Sequence, residues 1–169
     1  MIKTKRIKYV LGSIIAIPLK HSDYIFAIPL ESMKYAYAKT HKDGNLGIYN
    51  FISDVIVPLE EVVKHPIIFY QYGTDKAIKN GLWPILGALT FASEDNTLLP
   101  PMATCYDRDS NTWTMSEPKI YHNGESYFVT EKEVHGLDIF GVAISPEAIV
   151  HVITDRLIRG NHDYYKVRG

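Results

Sequence analysis

The chain has 169 residues, enough for one domain with a sizeable core. A hydrophobic fraction of 46%, a charged fraction of 22% and a net charge of −1 describe a globular protein. They exclude a strongly basic nucleic-acid grip and a strongly acidic mimic of DNA. Cys105 is the sole cysteine, which excludes an internal disulfide and a cysteine-based zinc site and points to a reducing, cytoplasmic setting.

Lys3, Lys5, Arg6 and Lys8 make the head basic and leave the remainder net acidic. With the apolar run behind it, the head imitates a signal peptide. Pro18 interrupts that run, Lys20 follows it and no small-x-small cleavage site is present, so residues 14–19 are expected to form a first strand. No apolar run approaches the roughly 20 residues of a membrane span. Residues 25–30 (IFAIPL) nearly repeat residues 14–19 (IIAIPL), as a hairpin or a short duplication would. Pro18 and Pro29 cannot donate to a ladder and mark strand ends or exposed edges.

Residues 33–40 alternate apolar and polar and predict a strand. His41-Lys42-Asp43-Gly44-Asn45 predicts a turn, residues 46–52 the next strand, and residues 55–57 a brief resumption after Ser53-Asp54. Pro58 can open a short helix whose first turn carries Glu60 and Glu61, and Pro66 stops it. A strand over 67–72, a short helix over 75–80 capped by Thr74 and ended by Gly81, and a strand over 82–89 follow. Residues 92–110, with Pro100-Pro101, predict a long irregular loop. Two short strands are expected around Trp113 and Tyr127, separated by the turn His122-Asn123-Gly124, and another over 139–144. The clearest helix is last: Ser145 caps, Pro146 takes the first position, and Ile149, Val152, Ile153 and Leu157 share one face. Gly160 ends it, and residues 161–169 form a polar tail expected to fray.

Eight or nine short strands and one good helix predict a mainly β (α+β) fold. The expected form is a curved antiparallel sheet or small β-barrel with the C-terminal helix packed on it, as one domain over 1–169. Residues 1–22 are an extension or extra strand.

Catalytic signatures are absent: there is no Gly-x-Ser-x-Gly elbow, P-loop or His-Glu-x-x-His. Cys105 reads as an inert thiol, Asp107-x-Asp109 as a solvated loop rather than a calcium site, and His162-Asp163 as a tail without further metal ligands. His151 and Asp155 lie one turn apart on the last helix and read as a solvated face. His21, His41, His65 and His122 read as surface residues at turns. No cofactor or metal is expected. The aromatic stripe Tyr24, Phe26, Tyr35, Tyr37, Tyr49 and Phe51 could stack bases, but at period two half of it should face a core.

YIFAIPL at 24–30, KYAYAK at 34–39, GIYNFISD at 47–54, PLEEVVKHPIIF at 58–69, AIKNGLW at 77–83 and the Asp-Arg-Leu ending of the last helix occur in order. Together they resemble the immunity protein 26 family, bacterial proteins encoded beside polymorphic toxins. The resemblance implies a non-enzymatic protein whose partner is a cognate toxin domain, neutralised by steric cover of its active site. A basic toxin such as a nuclease would favour acidic residues of loops and turns at the interface. Those are Asp54, Glu60, Glu61, Glu94, Asp95, Asp107 and Asp109. Two other classes stay open: a small nucleic-acid-binding β-barrel and an enzyme with an unrecognised site.

Overall fold

A computed structural model describes residues 6–19, 32–93, 98–115 and 117–169. The expected repeat at 25–30, with Tyr24 and Phe26, lies outside them, as do Glu94 and Asp95.

The first half builds one antiparallel sheet. Its strands are β1 (Ser13–Pro18), β2 (Tyr35–Thr40), β3 (Leu46–Ser53), β4 (Ile67–Gln71) and β5 (Ile85–Ala88), in the order β4-β3-β2-β1-β5. Gly12 leads into β1 with φ +87, and a Cβ there would meet the Leu89 carbonyl oxygen at 2.0 Å, so only glycine fits this approach. Asp43 (φ 61) and Gly44 (φ 77) turn the chain between β2 and β3. Register shifts between β1 and β5, β2 and β3, and β3 and β4 bend the sheet. It stays open among the described residues: the curved-sheet expectation holds, and no barrel closes.

Both faces of this sheet are covered, because both sets of alternating side chains are apolar. Ile15, Ile17, Ala36, Ala38, Ile48 and Phe69 face the short helix α2 (Lys76–Lys79) and the C-terminal helix α4 (Pro146–Leu157). Ile14, Ala16, Tyr37 and Tyr49 face Val62 of helix α1 (Leu59–Val62) and the segment leading into it. In α4 the Ser145 Oγ accepts from the Ala148 amide at 3.2 Å, and Ile149, Val150 and Ile153 are buried.

A smaller unit follows. Strands β6 (Met102–Thr104), β9 (Lys119–His122) and β10 (Glu125–Phe128) form a sheet ordered β10-β9-β6, and β7 (Tyr106–Asp107) pairs with β8 (Thr112–Trp113). Asn123 (φ 54) and Gly124 (φ 86) make the tight β9–β10 turn. Ala103 and Ile120 pack with Val134 of helix α3 (Glu131–Val134) and with Val167. Tyr72, Tyr121 and Phe140 join the two units, with ring centroids 4.5 to 5.5 Å apart.

Several expectations are corrected. Residues 92–110 are not one loop, since β6 and β7 lie within them. Residues 55–57 are not a strand; their backbone is held by a tyrosine hydroxyl. Residues 139–144 form a strap rather than a strand: the amides of Ile139, Phe140 and Ala143 donate to Tyr165, Ala103 and Tyr72 in turn. The tail is docked, with a 3-10 turn at His162–Tyr165, a buried Val167 and the Tyr165 hydroxyl donating to Asp155 at 2.7 Å. Helix α3 was not expected; Thr130 and Glu133 form its capping box. His41 is not on the surface: it is 4% exposed, between the rings of Tyr70 and Phe91.

Candidate partner-binding surface

The acidic candidates fall into two groups. Asp54, Glu60 and Glu61 occupy the corner between β3 and α1, while Asp107 and Asp109 occupy the tip of the β7–β8 hairpin.

The corner is built from the sheet outward. Tyr37 on β2 is fully buried, and its hydroxyl reaches the chain that follows β3. It lies 2.7 Å from the Ser53 Oγ, donates to the Val55 carbonyl at 3.2 Å and accepts from the Val57 amide at 3.1 Å. The Ser53 hydroxyl donates to the same Val55 carbonyl at 2.6 Å. The Val55 carbonyl and the Val57 amide are therefore satisfied by side chains of the sheet. The corner's side chains are free to point outward: Val55 is 67% exposed, Ile56 43% and Val63 38%. Beneath them the Tyr37 ring stacks on Phe51 at 5.4 Å, and Phe51 stacks on His65 at 4.2 Å.

Carboxylates flank these apolar groups in the chain. Asp54 is well exposed and pairs with Lys34 at 2.6 Å. Glu61 pairs with Lys64 at 2.5 Å, and that hydrogen-bonded ammonium holds its carboxyl below the usual range. Glu60 is exposed on the first turn of α1. An apolar centre with an ionised rim is the general form of a protein interface.

The hairpin acids are engaged differently. The Asp107 Oδ1 accepts from the Asp109 amide at 2.9 Å, and hydrogen bonding from Ser110 keeps its carboxyl below the usual range. The Asp109 Oδ1 accepts from the Tyr164 hydroxyl at 2.7 Å, and the Arg108 Nε donates to the Tyr164 carbonyl at 2.8 Å. These contacts close the turn and fasten it to the tail.

Other chemistry is accounted for structurally. Among the described residues, no group of three or more His, Cys, Asp and Glu could hold a metal ion, and no helix is long and apolar enough to cross a membrane. Cys105 sits in a left-handed kink (φ 60), its carbonyl accepting from the Thr114 amide at 2.9 Å. The His162 Nδ1 accepts from the Arg156 Nε at 3.2 Å. Tyr35, Tyr37, Tyr49 and Phe51 pack into the cluster under α1 rather than forming an open stacking platform.

Val55, Ile56, Val63 and the supporting Tyr37 were not among the candidates named from the sequence. The signal available was an apolar triplet directly after a strand-breaking Ser53-Asp54; its β-branched composition resembles a strand, which hid it.

A family model described as immunity protein 26 matches residues 10–113, a span that includes the whole five-stranded sheet, α1 and the hairpin. No curated protein and no solved structure matches the chain.

Proposed function

The chain belongs to the immunity protein 26 family, and from that premise we propose that it binds a cognate bacterial polymorphic toxin in the cytoplasm and blocks it sterically, without catalysis. The corner at 54–63 is the proposed interface. The observation that carries this choice is the Tyr37 hydroxyl, which pins a loop whose apolar side chains gain nothing from the fold by being exposed. A surface held rigid before binding loses less entropy on association. Val55, Ile56 and Val63 supply the apolar centre, and Asp54, Glu60 and Glu61 form a rim suited to a basic toxin such as a nuclease. Asp107 and Asp109 serve the fold first and contribute at most a second patch. Glu94 and Asp95 remain candidates by composition.

The test is co-expression with the toxin-like product of the adjacent gene, scored by survival and co-purification. Protection by the wild-type chain, lost in the Val55→Ser, Ile56→Ser double variant with an unchanged unfolding midpoint, is the expected result. Undiminished toxicity with no complex overturns the pairing. Protection undisturbed by the double variant moves the interface elsewhere.

A further inference from the structure

The edge strand β10 is a second surface with no role in that reading. Among the described residues it ends the smaller sheet, and all of Glu125, Ser126, Tyr127 and Phe128 are exposed. Its register on β9 pairs Glu125 with His122 and Tyr127 with Ile120 around the two-residue turn. In such a hairpin these are the residues that exchange hydrogen bonds. The intervening Ser126 and Phe128 therefore direct their amides and carbonyls away from the sheet. That outward row of donors and acceptors is a template for one more strand.

What surrounds the row selects its occupant. An open groove of about 630 Å³ lies at its C-terminal end, lined by Tyr127, Phe128, Glu117, Glu131 and Glu133 among others. Tyr127 is 44% exposed and Phe128 52%. Glu133 is held ionised by the hydrogen bonds it accepts from the Thr130 amide and hydroxyl. Lys119 lies over the Phe128 ring, 5.3 Å from its centroid, and Lys132 stands between Glu131 and Glu133 on α3, so the lining carries three carboxylates beside two cations. Natural edge strands are often protected by lysine or proline along the edge itself; β10 carries neither. We propose that β10 accepts an extended basic segment of a partner protein by strand addition, with its lysines or arginines set against Glu117, Glu131 and Glu133. The inference stands apart from the corner at 54–63 and does not depend on what binds there.

The test uses the full chain, isotope-labelled for NMR, titrated with the capped peptide Thr-Lys-Val-Lys-Val-Lys and with its Glu-for-Lys counterpart. The expected result is saturable shifts at Ser126 to Phe128 with the basic peptide alone. Ser126→Pro removes one outward donor while sparing the pairing to β9, and should abolish the shifts. The Glu117→Gln, Glu131→Gln double variant keeps the strand and should weaken binding roughly fivefold, as two exposed charges can. Equal binding of both peptides, shifts mapping to another surface, or none up to millimolar peptide would overturn the proposal. So would self-association through β10, which would assign the edge to a second copy of the chain.

Discussion

The five-stranded sheet and the β6-β9-β10 sheet differ in how many faces they bury. In the larger one, Ile15 and Ile17 point to α2 and α4 while Ile14 and Tyr37 point to α1, so each inner strand is covered twice. In the smaller one, Ala103 and Ile120 bury one face against α3 and Val167, and β10 lies exposed. The smaller sheet is completed by contacts at its border: the Tyr72–Tyr121–Phe140 rings and the ion pair between the Arg156 Nη2 and the Asp138 Oδ1 at 2.7 Å. The difference teaches that apolar area holds the first unit together by itself, whereas the second depends on being fastened to it.

Truncation in the two cores gives the largest expected contrast. Phe69→Ala, in the larger core, should cost about 4 kcal/mol, and Ile120→Ala about 2 kcal/mol because a small, one-sided core collapses around the gap more readily. Urea unfolding of both variants measures this, and equal costs would break the comparison. The fastening comes next. Arg156 is 4% exposed, with its guanidinium 3.9 Å from the Phe69 ring centroid. Asp138→Ala leaves that charge buried without its carboxylate and should cost about 3 kcal/mol. Hydrogen exchange should then quicken in β6, β9 and the tail before it does in β2 and β3.

Tyr37→Phe sharpens the comparison from the other side. It keeps the ring in the larger core and removes the hydroxyl that holds 53–57, at an expected cost of about 1–2 kcal/mol. Toxin binding should weaken in the same variant, and an unchanged affinity would show that the corner needs no such support.

The smallest effect is a pH dependence at the fastening. Burial and the neighbouring Arg156 push the His162 imidazole below its ordinary pKa of 6.5. The unfolded chain therefore takes up the proton more readily than the folded one. Stability is full above that value and declines as pH falls through it toward the lower folded-state pKa. Urea midpoints at about pH 7.5 and about pH 5.5 bracket the ordinary imidazole range. They should differ more in the wild type than in His162→Asn; identical differences would remove His162 from the account.

Much of this architecture is local and was therefore legible. Alternation over β1 to β4, the Asp43-Gly44 and Asn123-Gly124 turns and the Ser145-Pro146-Glu147 helix start are decided by sterics and hydrogen bonding within a few residues. The sequence offered Asp54, Glu60 and Glu61 as candidates but not the exposed apolar residues between and beside them. Val55 to Val57 have the β-branched composition of a strand and are diverted by a hydroxyl 20 positions from Val57.

The chain by itself determined that short antiparallel strands would form, where they would turn, and that a capped helix would close the order, because each of those preferences acts between neighbours. Tertiary structure alone decided that the sheet stays open among the described residues, that residues 139–144 strap three segments together, that the tail docks through Tyr165 and Val167, and that His41 is buried. Each of these outcomes depends on which distant backbone group reaches an amide first or which ring fills a gap. Such pairings depend on three-dimensional packing, which local periodicity does not encode.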